Sequence, residues 1–443
     1  MGALLERILS SENLHRAYAR VTGNMGAAGV DGIGVGGLKA YLQQNWATIS
    51  EKLRAGKYKP QPVGRVEIPK PGGGVRKLGI PTVGDRFIQQ AIAQELGKEY
   101  DPTFSPYSYG FRPNRSAHDA VKQAEVYINE GYGYIVEMDL EKFFDTVNHD
   151  YLMNRIADRI TDKEVLRLIR SYLQAGVMEK GVLVTSEEGT PQGGPLSPLL
   201  ANILLDELDK ELEKRGQKFV RYADDINIYL KTRKAAERVK QNITGYVEKR
   251  LKLRVNKEKT SVKRPSGTKI LGFSFRKENS IWTISIAPVS IARLKDKLRL
   301  KTVRSNSISM EQRIVWINLL LKGWLNYFAI GKGKSAIGEV EEFLRTRLRM
   351  IKWKEWKRTK TRIAELVKMG ISKAKAYQYA NTRKSYARTA HSPILLKSLN
   401  NKYFEDIGLY KLLEKYLSKH ASHLMNRRMP NGTYGGVRGQ VAN

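Results

Sequence analysis

Apolar residues recur along this chain at two distinct spacings. Leu200, Leu204, Leu208 and Leu212 form one stripe at helical period. Ser197-Pro198 ahead of it predicts an N-cap and first-turn pair, and Gly216 a stop. Asp85 is placed to cap a helix carrying Ile88, Ile92 and Leu96. Ser116 and Asp119 make a capping-box pattern for a helix that ends at Gly131. Ile314, Ile317, Leu321, Trp324 and Phe328 keep a 3–4 spacing, which predicts a buried helical seam. Leu344, Leu348 and Ile351 share a face within residues 341–358, surrounded by Arg345, Arg347, Arg349, Lys352 and Lys354. The other spacing is that of strands. Residues 65–80 place β-prone residues on both sides of a glycine turn, which predicts a hairpin. Residues 132–140 predict a strand, and 219–230 predict two short strands hinged at Asp224-Asp225. The first 60 residues read as short helices around a glycine-rich loop, 23–37. The pattern gives a mixed α/β body over 1–287, an α-helical remainder, and a glycine-rich flexible tail over 431–443.

Charge adds a partner to this picture. The 443 residues carry 78 Lys or Arg against 44 Asp or Glu, a formal net charge of +34. Residues 291–443 hold 33 of those cations against 10 of the anions, so the helical remainder carries about two-thirds of the excess. A charge kept only for solubility would be spread more evenly, and this asymmetry points to nucleic acid bound through phosphate neutralisation and counterion release. Hydrophobic residues make up 41%, enough for real cores, which excludes a disordered chain, a collagen and a coiled coil. The absence of cysteine excludes a disulfide scaffold or a Cys-ligated zinc site and fits a cytoplasmic compartment. No apolar run approaches the about 20 residues that span a bilayer, and the N-terminus lacks a signal-peptide pattern, so no membrane is expected among the partners.

Three carboxylates carry the candidate chemistry. Asp139 ends the apolar run Tyr134-Ile135-Val136-Glu137-Met138, and Asp224 and Asp225 lie where two apolar strands meet. Acids beside a sheet core are costly unless a cation pairs with them. A hairpin tip and a neighbouring strand end would bring Asp139 and Asp224 together, and carboxylates sharing two Mg²⁺ ions suit in-line phosphoryl transfer. An isolated Asp-Asp is more often a turn dipeptide. The surrounding boxes change that reading.

Tyr222-Ala223-Asp224-Asp225 resembles the YADD box of the reverse transcriptases encoded by bacterial group II introns, the intron maturases. Met138-Asp139-Leu140-Glu141-Lys142-Phe143-Phe144-Asp145 resembles the first catalytic box of that family, and Gly189-Thr190-Pro191-Gln192-Gly193-Gly194-Pro195-Leu196-Ser197-Pro198 the template-and-nucleotide box between them. The resemblance covers roughly residues 5–430. It implies an α/β (α+β) right-hand polymerase with fingers and a ferredoxin-like palm, followed by an α-helical thumb and a basic C-terminal region. The implied divisions are a template-lining N-terminal extension over 1–60, fingers and palm over 61–287, a thumb over 288–365 and a DNA-binding region over 366–430.

Carried over position by position, Asp139 and Asp224 match the metal ligands and Asp225 the neighbouring acid, with two Mg²⁺ as cofactor and Mn²⁺ as a substitute. Phe144 matches an aromatic gate that would clash with a ribose 2′-hydroxyl, while Phe143 packs. Lys70 and Arg76 match the cations that clamp the triphosphate. Gln192 matches a residue near the nascent base pair, and Lys259 a proton donor to pyrophosphate. Residues 270–275 resemble the primer-grip hairpin. Asn24, in the loop 24–31, and Arg112 match template contacts, with a structural salt bridge as the plain alternative for Arg112. The implied partners are an RNA template, a DNA or RNA primer, dNTPs, the cognate intron RNA and target DNA. Some relatives carry a His/Cys endonuclease domain, and a cysteine-free chain of 443 residues is expected to lack that activity.

Other readings are weaker. Gly32-Ile33-Gly34-Val35-Gly36-Gly37 follows no strand, so it is no dinucleotide site. Gly333-Lys334-Ser335 lacks the upstream glycine of a phosphate loop, and His420 and His423 have no further ligand pair for zinc. A splicing factor with a vestigial polymerase predicts damaged acids, and these are intact. A reverse transcriptase recruited for defence or diversification is disfavoured by the thumb-like segment Trp324-Leu325-Asn326-Tyr327-Phe328, and an RNA-templated RNA polymerase by Phe144.

Overall fold

The computed structural model describes residues 2–69, 74–141, 143–179, 182–184 and 193–428. The chain divides into two compact units, Met1–Thr268 and Lys269–Asn443. The division precedes the step at 287/288 that periodicity suggests. The strands of residues 269–286 join the helical unit because Ile286 N–H donates to Lys332 O and Lys332 N–H to Ile284 O, at 3.0 and 2.9 Å.

Among the described residues the first unit contains two sheets. In one, β1 (Val63–Pro69) and β2 (Val75–Ile80) form the expected antiparallel hairpin, with Gly64 opposite Ile80 and Pro69 opposite Val75. β4 (Val177–Glu179) runs parallel to β1 and β5 (Val182–Val184) returns beside it. The other sheet is antiparallel, in the order β6-β7-β3-β8, from β3 (Tyr134–Met138), β6 (Lys218–Tyr222), β7 (Asp225–Leu230) and β8 (Ser261–Lys263). β3 starts at Tyr134 rather than 132, because Tyr132 N–H donates back to Tyr127 O and so closes the preceding helix. Helix Ser197–Lys214 buries Leu200, Leu204, Leu208 and Leu212 together, each stabilising the core by about 1.5–3 kcal/mol.

Two helix starts differ from expectation. Ser197 is the first helical residue and Leu196 the N-cap, already helical itself, with no side-chain cap. Thr82 rather than Asp85 caps helix Val83–Tyr100: its hydroxyl accepts from Asp85 N–H. The Asp85 carboxylate instead accepts from Tyr58, Tyr172, Thr82 and Gln61 N–H at 2.8–3.2 Å, and burial pushes that carboxyl above its ordinary range.

The second unit opens with the sheet of β9 (Lys269–Ile270), β10 (Phe273–Glu278) and β11 (Ile281–Ile286). Helices from Pro288–Lys301 to Leu412–Arg428 follow. In helix Met310–Phe328 the fully buried line runs Ile314, Ile317, Leu321, Leu325. Trp324 and Phe328, expected in the seam, are half-buried and stack on each other at 4.6 Å. Leu366, Ile371, Leu395, Phe404 and Tyr416 share one core with Ile291, Leu294 and Ile317. Residues 431–443 lie outside the described residues. Among the described residues no helix is long and apolar enough to cross a membrane.

Candidate active site

The site grows from the register of the antiparallel sheet. β6 and β7 are joined by the two-residue turn Ala223-Asp224, closed by the pair Tyr222–Asp225. β7 pairs with β3 so that Ile226 faces Met138. Continuing that register by one residue sets Asp139 across from Asp225 and beside the turn that carries Asp224. The three acids, 86 residues apart along the chain at their widest, therefore meet at one sheet end because Met138 and Ile226 are buried and fix the pairing.

Asp139 is held by its backbone. Its N–H donates to Thr260 Oγ1 at 3.2 Å, and its carbonyl accepts from Asn256 N–H at 2.9 Å. The same loop carries Lys259, whose Nζ lies 3.8 Å from Asp139 Oδ2. Asp139 is half-buried and Asp225 exposed. Proximity of the three backbones does not amount to a formed ligand cage: among the described residues no three acidic or imidazole side chains are gathered as a metal-holding group. His420 Nδ1 instead lies 2.8 Å from Ala329 O, and its ring stacks on Tyr416.

Beneath the turn lies a network that the sequence reading missed. Arg221 and Asp209 are both fully buried, with Nη2 2.6 Å from Oδ2 and Nε 2.8 Å from Oδ1. Arg221 Nη1 also donates to Asn202 Oδ1 at 2.9 Å and to Ala223 O at 3.0 Å. Asn202 Nδ2 donates to Gly110 O at 2.9 Å. Gly110 in turn lies so close to the turn that an added Cβ would stand 2.3 Å from Ala223 N. Two signals were available: a cation inside an apolar strand, and Asn202 and Asp209 seven residues apart on an otherwise leucine-rich helix face.

The remaining expected residues are distributed as follows. Phe143 is 2% exposed and packs in the core, whereas Phe144 is half-buried and meets it edge-on at 5.1 Å. Arg76 lies on β2 opposite Ile68, with its side chain outside the described residues. Lys70 and Gln192 also lie outside them. Gly193, in the left-handed region at φ 123°, packs its backbone against β2, where an added Cβ would meet Gly79 O at 2.5 Å. The box and the hairpin thus touch within one unit. Asn24 is exposed at the end of helix Ser11–Gly23.

Arg112 is held by its own loop. Its side chain is 6% exposed and donates to Asp101 Oδ1 and to the carbonyls of Asp101, Ser105 and Ser108 at 2.6–3.0 Å. The guanidinium is engaged by the protein's own loop, which is the salt-bridge arrangement named as the plain alternative.

Comparison with known proteins gives this geometry a family. The model of the family described as reverse transcriptase (RNA-dependent DNA polymerase) matches residues 68–275, and that of the group II intron maturase-specific domain matches 291–370. Protein YkfC of Escherichia coli (strain K12) is 34% identical over 299 residues, covering 58% of this chain and 78% of that protein. The group II intron-encoded protein LtrA of Lactococcus lactis subsp. cremoris is 38% identical over 219 residues, 49% of this chain but 36% of that one. The putative COX1/OXI3 intron 2 protein of Saccharomyces cerevisiae is 37% identical over 187 residues, 42% of this chain and 21% of that one. The chain thus spans most of the first relative and about a third or less of the other two. Both domains follow one another on a single polypeptide whose acids meet at one sheet end, and the chain belongs to the group II intron reverse transcriptase/maturase family of RNA-directed DNA polymerases.

Proposed function

We propose that this chain copies RNA into DNA for a group II intron, binds that intron's RNA, and assists its splicing and retrohoming in the bacterial cytosol. The observation that carries the reading is the β3–β7 register, which sets Asp139 beside Asp224 and Asp225. In this reading the antiparallel sheet is the palm, the β1–β2 hairpin belongs to the fingers, the helices after residue 288 form the thumb, and those after 366 hold target DNA. The donors of the three acids are carboxylate oxygens only, hard ligands that suit Mg²⁺ or Mn²⁺. Asp139 and Asp224 would hold two such ions, with Asp225 adding negative charge. When bound, the ions supply Lewis-acid activation of the primer 3′-hydroxyl and charge neutralisation at the triphosphate.

The chain's own residues do the rest. Lys70 and Arg76 hold the triphosphate, and Gln192 borders the nascent pair. Phe144 excludes a ribose 2′-hydroxyl, and Asn24 lies along the template. Lys259 delivers a proton to the departing pyrophosphate. The +23 excess in residues 291–443 supports a polyanionic partner for the second unit.

The test is dNTP incorporation on a primed RNA template with Mg²⁺, comparing wild type with Asp224→Ala. Loss of incorporation is expected, and equal activity would sink the proposal. The splicing role is tested separately: the flanking intron RNA should splice faster with the protein at limiting Mg²⁺, and an unchanged rate would discard that role.

A further inference from the structure

We infer that Arg221 is a positioning residue that presents Asp224 to the metal ions, acting through the carbonyl of Ala223. The inference rests on the reading of Asp224 as a metal ligand and adds what sets the geometry of that ligand.

The argument starts from position. Arg221 occupies β6 between buried Val220 and half-buried Tyr222, where an apolar residue would continue the strand. A buried ion pair is a poor device for stability alone, since well-packed apolar residues often replace one at no loss. This guanidinium instead joins its own strand to two further elements. Its Nε and Nη2 grip Asp209 on helix Ser197–Lys214, and its Nη1 reaches both Asn202 on that helix and Ala223 O in the turn.

Ala223 needs such a hold. Its φ is 58°, in the left-handed region that non-glycine residues enter at a cost. Its carbonyl is bonded to Arg221, and its N side is closed by Gly110. Asn202 joins the two sides, accepting from Arg221 and donating to Gly110 O. Asp224 follows directly, so the direction of its side chain is set by a peptide clamped from both sides. Lysine could keep the charge opposite Asp209, but a single ammonium cannot reproduce the planar fork to Asp209, Asn202 and Ala223 O.

The test is primer extension on an RNA template by the full chain over a Mg²⁺ titration. Wild type, Arg221→Lys and Asn202→Ala are compared, and each variant's melting temperature and primer–template affinity are also measured. In Arg221→Lys the half-saturating Mg²⁺ concentration should rise, and kcat fall, by about tenfold or more. Asn202→Ala keeps the Arg221–Asp209 pair and should shift both in the same direction to a smaller extent. Primer–template affinity should stay at the wild-type value. A folded Arg221→Lys with the wild-type Mg²⁺ curve overturns the inference. If that variant does not fold, a wild-type curve from Asn202→Ala overturns it instead. Asp224→Ala is run alongside: activity there sinks the metal-site reading itself, whereas an inactive Asp224→Ala with an unshifted Arg221→Lys sinks only the positioning role.

Discussion

The Lys259 ammonium lies 3.8 Å from the Asp139 carboxylate, and both are held by one residue: Asn256 N–H donates to Asp139 O, and Asn256 Oδ1 accepts from Lys259 N–H. The pair is well exposed, with Lys259 at 70% and Asp139 at 40%. Exposed pairs of this kind contribute less than about 1 kcal/mol. Lys259→Leu should therefore leave thermal stability almost unchanged while single-turnover nucleotide incorporation falls by about a hundredfold, the loss of a general acid. Lys259→Arg should not restore the rate, because guanidinium keeps its proton. A wild-type rate in Lys259→Arg would assign the lysine a purely electrostatic role.

Phe143 and Phe144 adjoin in sequence and differ in burial. Phe144→Ala should raise incorporation of ribonucleotides relative to deoxynucleotides with little loss of stability. Phe143→Ala should cost about 3–5 kcal/mol in urea unfolding through the cavity it leaves, with sugar preference unchanged in whatever folds. Sugar selectivity unaltered in Phe144→Ala would remove the gate.

What could be read in advance follows the range of the interaction. The capping box joins Ser116 to Asp119, three positions on, and both reciprocal hydrogen bonds are present. The β1–β2 hairpin and the leucine stripe of helix Ser197–Lys214 are equally local. The backbone proximity of Asp139 to Asp224 and Asp225 was legible because Asp139 follows β3, Asp225 opens β7 and Asp224 lies in the turn before it. Arg221 was not, since its meaning depends on Asp209 and Asn202 from a packed helix and on Gly110 from a loop about a hundred residues upstream. Trp324 was assigned to the seam by spacing alone, and a straight helix drifts against a strict repeat, which gave the buried place to Leu325. The division at 268/269 depends on backbone pairing across β11, to which periodicity is blind.

Gly110 offers a probe of the turn that leaves every acid and every network side chain in place. An alanine Cβ there would stand 2.3 Å from Ala223 N and 3.0 Å from Tyr222 C, both backbone atoms that cannot swing aside. Gly110→Ala should push the turn outward and lower primer extension at least tenfold, because the displaced peptide turns Asp224 away from its place. Raising Mg²⁺ should recover part of the activity. Circular dichroism should show the fold retained. A variant as active as wild type at limiting Mg²⁺ would mean that the turn tolerates displacement.

Arg112 can be tested for a structural role against a phosphate contact. Its four short hydrogen bonds tie the loop of residues 101–112 together, and its guanidinium also lies over the Phe104 ring at 5.4 Å. Removing it takes this donor from the Asp101 carboxylate and from Ser108 O, while the Asp101 and Ser105 carbonyls each keep a backbone N–H donor, from Phe104 and Ser108. Arg112→Met should cost about 3 kcal/mol, the low end for breaking a buried pair, since Asp101 remains 25% exposed. A phosphate contact behaves differently: its loss lowers the slope of log affinity against log salt by about one while sparing stability. Template RNA affinity measured across a salt series should therefore keep its wild-type slope in Arg112→Met, and urea unfolding should show the loss. A reduced slope with wild-type stability would return Arg112 to the template path.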